Sequence, residues 1–144
     1  MRMTLLGACR LLAAVTFIAM VVRAAAADLA PPIPIVIRHV GNDSLSASLT
    51  ESIQAALKHS SVFFLASSRS PGTLLVTIPA NPAWEKLGKR VRVFYTVEFA
   101  SPSGDDFGTH SGYCWADKLS ECAAQVLLSA KDAAYRARTA PQPY

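Results

Sequence analysis

The fold is decided by the sequence RVRVFYTVEF at residues 90–99. Alternate side chains of a strand point to opposite faces of a sheet. One face of this stretch is apolar and carries Val91, Val93, Tyr95, Val97 and Phe99. The other is mixed and carries Arg90, Arg92, Phe94, Thr96 and Glu98. This pattern predicts a long strand with one face on the core and one face open.

Further strands are predicted on both sides of it. The alternating residues Ile33, Ile35 and Ile37 indicate a first strand up to Val40. The apolar runs Val62–Leu65 and Thr73–Ile78 indicate two shorter strands. Residues 79–83, Pro-Ala-Asn-Pro-Ala, are predicted to be irregular because proline cannot donate to a strand ladder. A turn at Ser101–Asp106 leads into a strand at Phe107–Trp115, where glycines at positions 108 and 112 suggest a bulge or a close backbone approach.

Two amphipathic helices complete the domain. The first is capped by Asp43 or Ser44 and carries one apolar stripe, formed by Leu45, Leu49, Ile53 and Leu57. The second carries a stripe formed by Leu119, Ala123, Val126, Leu127, Ala130 and Ala134. We summarise the order as β-α-β-β-β-α and expect an α+β fold, with both helices packed on one face of a mostly antiparallel sheet.

The chain begins with a segment typical of export. Positive charges flank an apolar run of about a dozen residues at positions 11–22. A helix that spans a membrane needs about 20 apolar residues, so this run is short for one. Small residues then end at Ala27. We expect residues 1–27 to be a cleaved signal peptide, residues 28–138 to form one periplasmic or secreted domain with no membrane span, and residues 139–144 to be a flexible tail. A retained membrane anchor and a lipid-anchored Cys9 are the alternatives.

The net charge does not indicate a nucleic-acid partner. The 144-residue chain carries 14 basic and 10 acidic residues, a net charge of +4. Removal of the signal takes away Arg2, Arg10 and Arg23, which leaves eleven basic and ten acidic residues and a net charge of +1. The basic character therefore belongs mostly to the signal, and nucleic acid is not expected as a partner.

Cys114 and Cys122 are the two cysteines left after export. An even pair in an oxidising compartment indicates a disulfide. The C-x7-C spacing is neither a C-x-x-C redox motif nor a zinc pattern. A bond between them would hold the first turn of the second helix against the last strand. Buried free thiols are the alternative.

Catalytic, metal and cofactor motifs are not evident. Three histidines, at positions 39, 59 and 110, lack the spacing of a metal site. The sequence GTHSG at residues 108–112 places Ser111 one position away from that of a nucleophile elbow. Asp105 and Asp106 suit a turn better than an acid–base pair with Glu98. We therefore predict no catalytic residues, no metal ligands and no cofactor.

The best binding candidate is an aromatic–basic segment at residues 84–92. We predict that its site residues are Trp84, Lys86, Lys89, Arg90 and Arg92. An aromatic ring beside these cations could bind an envelope protein or an anionic envelope component. The alternative is a solvated strand face whose charges protect an edge from aggregation.

The helix residues 49–57 (LTESIQAAL) leading into Val62–Leu65 resemble the small periplasmic α/β domains of envelope proteins, such as the TolB N-terminal domain and the LpoB and CsgG modules. The resemblance spans residues 33–137 and rests on a generic pattern. The Cys114–Trp115 pair and Cys122 are not part of that pattern, and no β-propeller follows. The resemblance implies a role in protein interaction without catalysis.

Three functions are compatible with these features. The first is a non-enzymatic exported binding or accessory module that docks to an envelope protein or assembly. The second is a secreted inhibitor or immunity-type protein that uses a disulfide-held loop at Tyr113–Ser120. The third is a small hydrolase that uses Ser111 or His110. The sequence does not indicate the oligomeric state.

Overall fold

The computed structural model describes residues 30–140. The fold below is that of the compact unit that begins at Pro32. The predicted signal peptide at residues 1–27, with Cys9, lies outside the described residues, as do residues 141–144 of the predicted tail. Thr139, the first residue assigned to that tail, instead ends a helix.

Six strands and two α-helices make up the described fold. In chain order they are β1 (Ile33–His39), α1 (Ser44–Lys58), β2 (Phe63–Leu65), β3 (Leu74–Ile78), β4 (Ala83–Leu87), β5 (Arg90–Ala100), β6 (Asp106–Trp115) and α2 (Leu119–Thr139). A 3-10 turn at Ala116–Lys118 joins β6 to α2. The α+β class is confirmed.

The sheet is mixed, with a parallel half and an antiparallel half. β1 pairs in parallel with β2 and with β3. β5 pairs antiparallel with β3 and β4 along one of its sides and with β6 along the other. β3 and β4 pair with successive parts of the same side of β5, and residues 79–82 separate the two strands. β6 is thus an edge strand, as are β2 and β4.

The summary order β-α-β-β-β-α counts four strands, although the sequence patterns themselves indicated five. The described fold has six. Five of the strands coincide with runs predicted from the sequence, whereas β4 was not predicted. All five residues of β4 are exposed, so the sequence AWEKL shows no alternation between buried and open positions. The β4 strand forms because the two-residue turn Gly88–Lys89 folds it back onto β5, and Gly88 supplies the positive φ of 62° that this tight turn requires.

The core lies between the helices and one face of the sheet. Both predicted helix stripes point into it: Leu49, Ile53 and Leu57 of α1 are fully buried, as is Val126 of α2. The apolar face of β5 packs against them. Asp43 is the N-cap of α1, and its carboxylate accepts a hydrogen bond from the Ser46 backbone N–H at 2.7 Å. Within residues 30–140, no helix is long and apolar enough to cross a membrane.

Candidate functional site

The sheet face opposite the helices carries a cluster of aromatic and arginine side chains. The register of β5 with β6 places Arg92 opposite Trp115 and Phe94 opposite Tyr113, and directly opposed residues share a face. We call this cluster the open-face patch and define it by its members: Arg90, Arg92, Phe94, Tyr113 and Trp115. Tyr113 has the most exposed ring of the three, at 58% of its full accessible surface.

Both guanidinium groups of the open-face patch lie over aromatic rings. The Arg90 guanidinium carbon is 4.0 Å from the centre of the Trp115 ring. The Arg92 guanidinium carbon is 5.2 Å from the Tyr113 ring and 5.5 Å from the Trp115 ring. Cation–π contacts at these distances contribute about 0.5–1 kcal/mol each at exposed sites. The contacts hold the long arginine side chains flat against the sheet.

Each of these arginines also has an acidic partner. Arg90 Nη2 lies 3.2 Å from Asp117 Oδ1, and Arg92 Nη1 lies 3.1 Å from Glu85 Oε1. Exposed ion pairs of this kind stabilise a fold by about 0–1 kcal/mol. They do, however, offset both positive charges of the open-face patch, which leaves it aromatic in character and close to neutral.

The predicted binding segment is divided between two faces and a turn. Arg90 and Arg92 lie in the open-face patch. Trp84 pairs with Val93 and Lys86 pairs with Val91, so both side chains point to the face that carries the helices. Lys89 lies in the turn. The five residues therefore do not form one contiguous surface, because neighbouring residues of a strand point in opposite directions.

Sequence reasoning missed the aromatic members contributed by β6. Phe94 was assigned to the same face as Arg90 and Arg92, which is correct. Tyr113 and Trp115 join that face through pairing with β5, and pairing partners are not visible in a single strand's pattern. The signal that could have found them is the alternation of β6 itself, since the two aromatic residues are two positions apart.

A pocket of about 430 Å³ adjoins the open-face patch. Residues 79–83 form one wall, and the rings of Phe94 and Tyr113 lie at its other side. Thr96 and Ser111 also line it, and their hydroxyl oxygens are 2.9 Å apart. The pocket lies at the break between β3 and β4, where residues 79–82 are not paired with β5.

The wall of this pocket is tied to the start of α1. The Asn81 side-chain oxygen accepts hydrogen bonds from the Asn42 backbone N–H at 2.9 Å and from Ser46 Oγ at 3.2 Å. A Cβ at Gly41 would overlap both Ser46 Oγ and Asn81 Oδ1. The close approach of these groups therefore requires glycine at position 41.

The predicted disulfide is confirmed. Cys114 and Cys122 are bonded, with their Cα atoms 5.5 Å apart. Both residues are buried, with 4% and 0% of their surface exposed. The bond joins the end of β6, next to Trp115, to the first turn of α2. It therefore braces the side of the sheet opposite the open-face patch.

A polar network lies beneath the same strands, on the helix side. The Tyr95 hydroxyl is 3.1 Å from His110 Nε2 and donates to Gln125 Oε1 at 3.0 Å. A Cβ at Gly112 would come within 2.8 Å of the Tyr95 hydroxyl oxygen, so the glycine makes room for the ring. The predicted close approach at Gly112 is confirmed. The bulge suggested by Gly108 is confirmed by the register shift at Phe99/Ala100.

Burial raises the pKa of Tyr95 to about 12. An unfolded tyrosine loses its proton near pH 10, so between about pH 10 and 12 the folded protein retains a proton that the unfolded chain has lost. We therefore expect the free energy of unfolding to fall as the pH rises through this range. Urea unfolding and tyrosinate absorbance should both show the effect in the wild type and lose it in Tyr95→Phe. A wild type that titrates like this variant would contradict the assignment.

The catalytic arrangements considered from sequence are not assembled. The Ser111 side chain lies on the open face beside Thr96, while His110 points to the helix side and contacts Tyr95. Hydrogen bonds from Ser101 and Ser103 lower the pKa of Asp105, which suits a carboxylate that closes a turn. Within residues 30–140, no group of three or more histidine, cysteine, aspartate or glutamate side chains could hold a metal ion.

Comparison with known proteins gives a likeness of fold alone. No protein-family model matches the chain, and no curated protein sequence matches it. Among solved structures, a dodecameric PelC variant from Paraburkholderia phytofirmans aligns with a TM-score of 0.51 at 16% identity, covering 70% of this chain and 86% of PelC. A minor lipoprotein from Acinetobacter baumannii aligns with a TM-score of 0.47 at 11% identity, covering 72% of this chain and 92% of the lipoprotein.

Proposed function

We propose that the protein is a non-enzymatic exported accessory module that docks to an envelope protein through the open-face patch. The observation that carries this proposal is the open-face patch itself: three aromatic rings and two stacked arginines on a sheet face that neither helix covers. Aromatic and arginine side chains dominate the energetics of protein–protein interfaces. The leading segment of the sequence supports export, since it has the features of a cleaved signal.

The charges of the open-face patch favour a protein partner over an anionic envelope component. A surface that attracts anions needs unpaired cations, whereas Arg90 and Arg92 already pair with Asp117 and Glu85. Stacking also fixes the arginine side chains before a partner arrives, which reduces the entropy lost on binding. PelC, which has a similar fold, forms a dodecamer. This fold is therefore compatible with contacts between protein chains.

The inhibitor and hydrolase alternatives receive less support. The segment Tyr113–Ser120 was considered as an inhibitory loop, but it comprises the end of β6, a 3-10 turn and the start of α2. These residues belong to a strand, a turn and a helix, so the segment does not form the loop that the inhibitor alternative requires. The hydrolase alternative required Ser111 or His110, whose side chains lie on opposite faces of the sheet.

Photo-crosslinking in intact cells tests the proposed function. A benzoylphenylalanine placed at Leu87, which is exposed at the hairpin end of the open face, should capture one predominant envelope protein. Adding Tyr113→Ser should reduce that yield at least about fivefold, the effect of about 1 kcal/mol at an interface.

Tyr135→Ser is the matched control, because Tyr135 is an equally accessible tyrosine on α2, 71% exposed. It should leave the yield unchanged. Equal yields from both tyrosine variants would argue against docking at the open-face patch. A product with the mass of two copies of this chain would argue against an envelope partner there.

A further inference from the structure

The outer edge of β6 is open to strand pairing from Thr109 to Trp115. β6 pairs only with β5 among residues 30–140, so its other side presents a row of backbone donors and acceptors. Natural edge strands are kept from pairing by short length, charges, proline or β-bulges. In β6 the charge and the bulge, at Asp106 and Gly108, lie at the start of the strand and precede the segment from Thr109 to Trp115. β2 has only three residues, and β4 carries Glu85 and Lys86. β6 has ten residues, and the run from Phe107 to Ala116 contains no lysine, arginine, aspartate, glutamate or proline.

We propose that a second copy of this chain occupies this edge, with β6 pairing antiparallel to β6 about a two-fold axis at Ser111. Two-fold pairing of one strand with itself keeps each side chain on its own face and joins the two sheets into one. The pairing uses the edge of β6 and does not depend on which partner the open-face patch binds, although Tyr113 belongs to both surfaces. The tests below therefore leave Tyr113 unchanged.

The side-chain pattern of β6 suits this self-pairing. With Ser111 on the axis, Thr109 of one copy lies opposite Tyr113 of the other, and this pair occurs twice. Aromatic residues opposite β-branched residues stabilise a sheet, as do paired serines. On the helix side, the larger His110 lies opposite Gly112. No two like charges face each other in this register.

A dimer of this form would place the two open-face patches on one continuous sheet. Tyr113 and Trp115 lie at the β6 side of each open-face patch, next to the proposed axis. The same face would therefore present both copies of the aromatic cluster to a partner. Thr109, Ser111 and Tyr113, whose side chains would form the pairs, are all exposed in the single chain.

Measurement of mass in solution tests the proposal with the exported protein. Light scattering and sedimentation should show a concentration-dependent dimer up to about 100 µM. Ser111→Lys should raise the dissociation constant at least about tenfold, because two ammonium groups would meet on the axis. An equimolar mixture of Ser111→Lys with Ser111→Glu should restore the dimer.

Thr96→Lys is the matched control, since Thr96 lies opposite Ser111 on the same face but one strand away from the edge. It should leave the dissociation constant within about twofold. Ser111→Thr, which keeps a neutral strand-forming residue, should also leave the dimer intact. A single-chain mass for the wild type at about 100 µM, a dimer insensitive to Ser111→Lys, or a charge-reversed mixture that stays monomeric would each overturn the proposal.

Discussion

Replacing both bonded cysteines, as Cys114→Ala with Cys122→Ala, is expected to lower the free energy of unfolding by about 2.5 kcal/mol. The bond closes a short loop, since the two residues are eight positions apart, and the chain-entropy relation gives about 2.5 kcal/mol for a loop of this length. The loss should appear as a lower urea midpoint, with a slope that is equal or slightly larger, because the unbridged chain exposes at least as much surface on unfolding.

The reduced wild type provides the control for this prediction. Unfolding in the presence of reductant should bring its midpoint to that of the double alanine variant, whose own midpoint should not respond to reductant. Both sulfurs are buried, so reduction should require prior unfolding and proceed slowly in native conditions. A double variant as stable as the oxidised wild type would show that the bond does not constrain the chain.

Local patterns were sufficient to predict the parts of the fold that one segment determines alone. The alternation at residues 90–99 predicted β5 and its buried face, and the four-residue spacing of Leu49, Ile53 and Leu57 predicted the buried stripe of α1. The disulfide followed from compartment and cysteine number. Each of these depends on a period or a count that a sequence states directly.

The surface could not be predicted as fully, because it depends on pairing between segments. Two features determine which side chains of β6 share a face with Arg90 and Arg92. They are the register across the turn at residues 101–105 and the bulge at Gly108. A shift of one residue would move Tyr113 and Trp115 to the helix side. β4 went unnoticed because it is exposed on both faces. The residues of the predicted site at 84–92 are divided between two faces and a turn. The sequence pattern did not show this division, because neighbouring residues of a strand point in opposite directions.

Substituting the glycine beneath Tyr95, as Gly112→Val, is expected to cost about 3 kcal/mol. A Cβ at this position would meet the Tyr95 hydroxyl and Gln125 Oε1 at 2.8 Å each, so the ring and the amide must both move. Overpacking typically costs about 1–3 kcal/mol, and separating the Tyr95 hydroxyl from its buried partners adds about 1–3 kcal/mol. The loss should be measured as a shift of the urea midpoint.

Ser111→Val is the control for Gly112→Val, because it also places a β-branched residue in β6. A difference between the two variants therefore reports the close packing at Gly112. Ser111 is exposed on the opposite face, where valine suits a strand, so its effect should stay within about 0.5 kcal/mol. Combining Gly112→Ala with Tyr95→Phe and Gln125→Ala should cost less than the sum of the separate changes, because the two atoms that oppose the new methyl group are gone. Equal losses for Gly112→Val and Ser111→Val would mean that Tyr95 does not lie against this glycine. Burial of the same side chain raises the pKa of Tyr95 to about 12, so the stability and titration measurements examine the packing around Tyr95 through independent readouts.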